Sequence, residues 1–302
     1  MDDRRPILIL GVSQRSGTTF LGKVLSCHRD CALPAPVWES FLLEHADLLT
    51  AYAARTATHW SPSWGDIEAF RPLLARHVGR GALEFLQSLA GDKRLVAKTP
   101  SVRNLHLAPE LFPGAQLVLL VRDGRSVTES YVQGFGWSHE RAMRTWARGA
   151  DAILTFTGRP SADTAEVEHR IVRYEDLVED FDAEVTKLLG FLRLDRDRFD
   201  YGAARALPVL GSSFCRGDDD SVHWRGIQRT RDFSSVQRFS HWDRRLHERF
   251  GWLAGDQLER LGYERVLFGE PTRASGYRNR ALDAAWPVRA ATRRAREVAR
   301  RR

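Results

Sequence analysis

Short apolar runs alternate along most of the chain with longer segments in which apolar residues recur every three or four positions. Such runs predict strands buried on both faces, and the spacing between them predicts amphipathic helices. The predicted strands are Ile7–Leu10 and the runs within 94–100, 115–123 and 169–177. This alternation favours an α/β fold in a single domain, with a central parallel sheet of about five strands and helices on both faces.

The helical spacing begins at Thr18 and returns in several later segments. Helices are predicted within 38–60, 81–90, 101–111, 125–135, 139–157, 179–192 and 241–264. The pattern is lost in a polar stretch at 208–240, and a loop of that length is usually functional or disordered. We therefore predict one domain over 1–270 and a partly helical or disordered basic tail over 271–302.

The turn between the first strand and the first helix resembles a nucleotide-binding loop that lacks its lysine. A Walker loop requires GxxxxGK[ST], whereas Gly11 is followed by VSQRSGT, with Ser16 and Gly17 in place of the second glycine and the lysine. A strand–turn–helix still directs several backbone N–H groups and the helix dipole at an anion. We therefore expect a P-loop-like fold. In its anion-binding turn, Arg15 would supply a cation, and Thr18 and Thr19 would supply hydroxyl groups.

A second motif follows the most apolar strand, where Arg122 precedes Ser130 by eight positions in "RDGRSVTES". Both would lie at the carboxyl edge of the sheet, beside the Arg15 loop. We expect one site to hold the 5′ group and the other the 3′ group of a nucleotide. No magnesium carboxylate follows the strand in the manner of a P-loop kinase.

The distribution of charge along the chain limits the kinds of binding partner that we expect. The net charge is +7, and residues 278–302 contain nine arginines against Asp283 and Glu297, so the excess charge lies in the tail. A nucleic-acid-binding surface on the body is therefore not expected, whereas a basic amphipathic helix can contact an anionic membrane weakly. The alternative is a solvated basic tail.

The cysteines and the apolar runs suggest a cytoplasmic protein without a metal site. Cys27, Cys31 and Cys215 form no CxxC pair, which argues against both a disulfide framework and a zinc site. No run reaches the ~18 apolar residues of a membrane span, and the N-terminus lacks the features of a signal peptide.

Four motifs in order resemble the sulfotransferases that use 3′-phosphoadenosine 5′-phosphosulfate (PAPS), in the tyrosylprotein and bacterial carbohydrate-type branch. They are "QRSGTTFL", "VRDGRSVTES", "IVRYEDLVED" and "LERLGYE", and the similarity spans about 7–267. The resemblance implies a metal-free transfer of the sulfuryl group from PAPS to a hydroxyl, or less readily to an amine. The implied cofactor-binding residues are Arg15, Ser16, Gly17, Thr18, Thr19, Arg122, Ser130 and Tyr174, together with Ser212, Ser213 and Arg225 in the polar stretch.

The same resemblance implies Glu39, in "LPAPVWESF", as the base that takes the acceptor proton, because "KTP" lacks the histidine of the phenol and steroid branch. Lys98 and Arg15 would neutralise charge in the transition state. A surface glutamate at a helix start and a lysine at a sheet edge are the alternatives. His45, His59 and His106 are weaker candidates for the base.

The acceptor is expected to be a small molecule, a glycoconjugate or a lipid in a cleft lined by aromatic side chains. The aromatic residues concerned are Trp38, Phe41, Tyr52, Trp60, Trp64, Tyr131, Phe135 and Trp137. A bacterial source is suggested by the arginine and alanine content. Two other functions stay open, a P-loop kinase of a small metabolite and a non-catalytic nucleotide-binding relative.

Overall fold

The computed structural model describes residues 4–160, 167–208, 236–268 and 272–299. The chain forms two compact units, Met1–Phe239 and Ser240–Arg302. The predicted domain boundary between 270 and 271 stays a prediction.

A five-stranded parallel sheet forms the centre of the first unit. Its strands are β1 (Ile7–Gly11), β2 (Cys31–Ala32), β3 (Arg94–Thr99), β4 (Gln116–Val121) and β5 (Glu168–Arg173), in the order β2-β3-β1-β4-β5. Gly11 pairs with Leu120 and Val121 pairs with Arg173, so the carboxyl ends of the central strands share one edge. The predicted α/β fold with about five parallel strands is confirmed.

Helices follow the strands of this unit. They are α1 (Thr18–Ser26), α2 (Ala46–Ala57), α3 (Ile67–Ala90), α4 (Ala108–Leu111), α5 (Gly124–Phe135), α6 (His139–Thr157), α7 (Tyr174–Glu179), α8 (Phe181–Leu192) and α9 (Tyr201–Arg205). Short 3-10 turns lie at Pro62–Trp64, Leu105–Leu107 and Arg196–Arg198.

Both faces of the sheet are covered. On one face, Ile9 and Val118 share an apolar cluster with Leu21 of α1 and Leu188 of α8. On the opposite face, the alternate strand residues are equally buried, among them Leu8, Leu10, Leu117 and Leu119. Burial on both faces explains why the strands are apolar at successive positions rather than at every second one.

Three predicted helices differ clearly from the observed ones. The segment 101–111 contains only a 3-10 turn at Leu105–Leu107 and the short helix α4 at Ala108–Leu111. The helix predicted within 38–60 begins only at Ala46, because 38–45 is irregular and Phe41 has a φ of 46°. The helix predicted at 81–90 begins at Ile67 and continues through Pro72. Its start is set by Asp66, whose side chain accepts a hydrogen bond from the Ala69 N–H.

The second unit pairs α10 (Arg244–Arg260), which is kinked at Ala254, with α11 (Arg273–Ala299). Arg249 of α10 is buried, and it donates hydrogen bonds to the Asn279 carbonyl oxygen at 3.2 Å and to Asp283 Oδ1 at 2.6 Å. The first part of the predicted tail is therefore a packed helix. Among the described residues, no helix combines the length and the apolarity that crossing a membrane would require.

Candidate active site

The turn between β1 and α1 places a helix N-terminus at the carboxyl edge of the sheet. Gly17 is the N-cap of α1 with a φ of 101°, and as a glycine it supplies no side chain to cap the first N–H groups. Ser16 is buried, and its hydroxyl donates to the Ser13 carbonyl oxygen at 2.6 Å, which tightens the turn. Thr18 and Thr19 occupy the first turn of α1. Such a turn is suited to an anionic group.

Arg15 lies in this turn with a φ of 71°, and its side chain extends toward α5. Its Nε donates to Ser130 Oγ at 2.8 Å, and its guanidinium lies 5.4 Å from the centre of the Phe135 ring. The carbonyl oxygen of Arg15 accepts a hydrogen bond from Arg122 at 2.7 Å. The two arginines that we expected at opposite ends of a nucleotide therefore adjoin each other.

Three arginines approach one another at this edge of the sheet. Burial, followed by the nearby charges of Arg122 and Arg238, lowers the pKa of Arg15 to about 10. Burial and the charge of Arg122 also lower the pKa of Arg238 to about 10. Cations held together out of water attract an anion strongly, because an anion relieves their mutual repulsion. We call Arg15, Arg122 and Arg238 the arginine cluster.

Arg238 is the member of this cluster that the sequence motifs did not predict. Its guanidinium donates to Gln133 Oε1 at 2.8 Å, and its backbone N–H donates to Ser126 Oγ at 3.3 Å. The sequence gives a weak signal, since Arg238 is one of many arginines near the polar stretch. The structure identifies Arg238 through these hydrogen bonds to α5, and its side chain is half-buried.

Tyr174 lies next to the turn after β1 and to Arg122. It begins α7 directly after β5, and the guanidinium of Arg122 lies 4.8 Å from the centre of its ring. A Cβ built on Gly17 would lie 2.6 Å from a carbon of the same ring. A glycine is thus required at 17 both by the positive φ and by the contact with Tyr174.

This arrangement predicts the effect of replacing Gly17 with alanine. The new methyl group would push Tyr174 away and strain the turn, so affinity for 3′-phosphoadenosine 5′-phosphate should fall about tenfold. Titration calorimetry measures this change. Gly81→Ala is the matched control, because no atom lies within 4 Å of a Cβ at that helical position. Equal affinity in the two variants would contradict the role given to the turn.

Glu39 and Lys98 form the second part of the site. Lys98 is buried at the end of β3, and its Nζ donates to Glu39 Oε1 at 3.4 Å. Burial lowers the pKa of Lys98, and the Glu39 carboxylate opposes that shift. The stem of Lys98 runs beside α1, where a Cβ on Gly22 would lie 3.2 Å from Lys98 Cδ. A carboxylate and an ammonium therefore lie beside helix α1, which begins at the turn after β1.

The structure places the remaining candidates as follows. His45, His59 and His106 are exposed. Ser212, Ser213 and Arg225 lie outside the described residues.

Of the aromatic candidates, Trp38 and Phe41 are 48% and 41% exposed on either side of Glu39, whereas Tyr131 is buried and stacks on Trp137 with ring centres 4.4 Å apart. Within the ranges that the structure describes, no cluster of three or more His, Cys, Asp or Glu residues could hold a metal ion.

The first strand of the parallel sheet leads through an uncapped turn into a helix, and cations lie at the same edge of the sheet. These features define a P-loop-like α/β protein whose sheet edge is suited to an anion. The profile of the sulfotransferase family matches residues 6–198. The chain therefore belongs to the sulfotransferase family. This membership argues for sulfuryl transfer and against the kinase alternative.

Of the solved structures compared with the chain, the first agrees with the fold. The sulfotransferase domain from the curacin biosynthetic pathway has a TM-score of 0.51 and 19% identity, over 88% of this chain and 100% of that chain. The sulfotransferase domain from the Synechococcus PCC 7002 olefin synthase has a TM-score of 0.44 and 22% identity, over 73% and 83%. Mouse sulfotransferase SULT7A1 complexed with PAP has a TM-score of 0.37 and 14% identity, over 68% and 64%. No curated protein matches the sequence.

Proposed function

We propose that the protein transfers a sulfuryl group from PAPS to a hydroxyl group of a small-molecule, glycan or lipid acceptor, with Glu39 as the general base. The observation that carries the proposal is the ion pair of Glu39 with buried Lys98, beside helix α1 that begins at the turn after β1. A base and a fixed cation are the groups that an in-line transfer to a hydroxyl requires.

The residues present fit PAPS. The uncapped N-terminus of α1, with Ser16, Thr18 and Thr19, would hold the 5′-phosphosulfate. Arg122, Ser130 and Arg238 would hold the 3′-phosphate, with Arg15 between the two groups and Tyr174 beside the nucleotide. When bound, PAPS supplies an activated sulfuryl group.

Each catalytic side chain has a defined task. Glu39 takes the proton of the acceptor hydroxyl as the new S–O bond forms. Lys98 stabilises the negative charge that develops on the phosphate oxygen as the old S–O bond breaks, so 3′-phosphoadenosine 5′-phosphate leaves. Arg15 adds positive charge at the same edge, and its contact with Ser130 ties it to the 3′ end of the nucleotide.

The acceptor is proposed to lie over Glu39, between the exposed side chains of Trp38 and Phe41. These two side chains favour an acceptor with a ring or another apolar part next to its hydroxyl group. We also propose that the chain belongs to the tyrosylprotein or bacterial carbohydrate-type branch of the family and that it acts in the cytoplasm.

Calorimetry and labelled donor test this function together. We expect micromolar binding of 3′-phosphoadenosine 5′-phosphate and no binding of ATP with magnesium. Sulfur-labelled PAPS, incubated with a panel of hydroxyl acceptors, should yield a labelled product. Binding of magnesium ATP without binding of the bisphosphate would instead favour the kinase. Binding of the bisphosphate without transfer to any acceptor or to water would favour a non-catalytic relative.

The basic helix α11 is proposed to contact an anionic membrane weakly. Its later part exposes Val288, Ala291 and Ala295 at helical spacing, and Arg289 and Arg293 lie at positions away from that row. We expect the full chain to sediment with phosphatidylglycerol vesicles at low salt more than a chain ending at 286. Truncation at 286 keeps Asn279 and Asp283, which hold buried Arg249. Equal sedimentation of the two chains would rule out the contact, and phosphatidylcholine vesicles provide the control.

A further inference from the structure

The irregular segment before α2 is attached to the end of β3 by Ser40. The Ser40 N–H donates to the Lys98 carbonyl oxygen at 2.9 Å. The Ser40 hydroxyl donates to the same oxygen at 3.3 Å and lies 3.1 Å from the hydroxyl of Thr99. Thr99 is buried within the sheet. A single side chain outside any regular element thus reaches two consecutive residues of the strand.

These contacts bear directly on the candidate base. Glu39 precedes Ser40, and its carboxylate accepts a hydrogen bond from the Lys98 ammonium. Lys98 is therefore held at both ends, its carbonyl oxygen by Ser40 and its side chain by Glu39. No strand or helix fixes residues 33–45. The location of Glu39 consequently depends on a few bonds of this kind.

The backbone after Ser40 supports the same interpretation. Phe41 has a φ of 46°, a conformation that residues with a bulky side chain seldom adopt. Such a conformation persists where the surrounding contacts impose it. Those contacts are the hydrogen bonds of Ser40 with β3 on one side and the hydrogen bond from the Glu44 N–H to the Phe41 carbonyl oxygen on the other.

We propose that Ser40 is a positioning residue, which acts with Thr99 to hold the Glu39 carboxylate beside the Lys98 ammonium. The effect of Ser40 on the reaction rate rests on the proposed function, since Ser40 acts through Glu39 and does not take the acceptor proton itself. A base displaced by about 1 Å can cost up to about 100-fold in rate. The backbone hydrogen bond of Ser40 survives the loss of the hydroxyl, so a smaller effect is expected.

The first test measures the pairing without any need for activity. The chain contains four lysines, Lys23, Lys93, Lys98 and Lys187, so carbon-13 labelled lysine gives few NMR signals, and Lys98→Arg assigns the relevant one. In Glu39→Gln the pKa of Lys98 should fall, because the carboxylate that raises it is gone. In Ser40→Ala the pKa of Lys98 should fall in the same direction by a smaller amount. A Lys98 titration in Ser40→Ala that equals the wild type would overturn the proposal.

The second test separates positioning from folding. In Ser40→Ala we expect kcat to fall about tenfold, while the acceptor KM and the affinity for the bisphosphate change by less than about twofold. Ser40→Thr keeps the hydroxyl and should recover most of the rate, and Thr99→Val should lower it. Ser101→Ala, which removes a serine near the same strand end, is the matched control. An unchanged kcat in Ser40→Ala would also overturn the proposal.

The two tests distinguish the failure of this inference from the failure of the proposed function. If the wild-type chain transfers no sulfuryl group but the pKa of Lys98 falls in Ser40→Ala, the function is wrong and the positioning of Glu39 stands. If the wild type is active and the Ser40→Ala variant matches it in either measurement, the function stands and the role of Ser40 is wrong.

Discussion

Replacing Glu39 with glutamine is expected to lower the turnover of sulfuryl transfer by about 10²- to 10⁴-fold and to leave nucleotide binding intact. The amide keeps the size of the carboxylate but cannot accept the acceptor proton. Glu39 contacts Lys98, whereas the residues of the arginine cluster contact one another elsewhere at the sheet edge. The affinity for 3′-phosphoadenosine 5′-phosphate should therefore stay within about threefold of the wild type.

Steady-state rates with labelled PAPS and calorimetry with the bisphosphate measure these two effects. Glu44→Gln is the control, because Glu44 lies five residues further along the same irregular segment and pairs instead with Arg103 at 3.7 Å. It should retain its turnover. A fully active Glu39→Gln variant would mean that another group takes the proton. The loss of bisphosphate binding in that variant would mean that Glu39 has a structural role.

The fold was largely predictable because buried parallel strands leave a strong pattern in the sequence. β4 is apolar at five successive positions, Leu117 to Val121, and a run of that length between turn residues is typical of a strand covered on both faces. β2 was not predicted because it has only two residues, Cys31–Ala32, and therefore no periodicity. The start of α2 was misplaced because helical spacing in 38–60 does not reveal that Ser40 is hydrogen-bonded to β3 and that the chain is irregular up to Ala46.

The site was predictable where its residues belong to a local motif. Arg15, Arg122 and Ser130 each follow a strand in a short pattern, and the structure brings all three together. Arg238 and Ser40 belong to no such pattern. Their proposed roles follow from long-range contacts with Gln133 and Lys98, and a single sequence does not encode which distant residues meet.

Replacing Arg122 with alanine is expected to weaken the binding of 3′-phosphoadenosine 5′-phosphate about 100-fold and to leave the binding of adenosine 5′-phosphate within about threefold of the wild type. The two ligands differ in the 3′-phosphate, so the comparison isolates the group that Arg122 is proposed to hold. Hydrogen bonds to a charged partner contribute about 1.5–3 kcal/mol each, which corresponds to roughly 10- to 150-fold in affinity. Calorimetry with both ligands at one salt concentration measures the difference.

The controls separate this effect from a general loss of positive charge. Arg148 of α6 is exposed, and Arg148→Ala removes the same charge away from the site. It should bind both ligands like the wild type. Arg122→Lys keeps the charge but loses the planar fork, so it should fall between the alanine variant and the wild type. If Arg122→Ala weakened both ligands equally, the 3′-phosphate assignment would be wrong, and the residue would instead support the turn through its hydrogen bond to the Arg15 carbonyl oxygen.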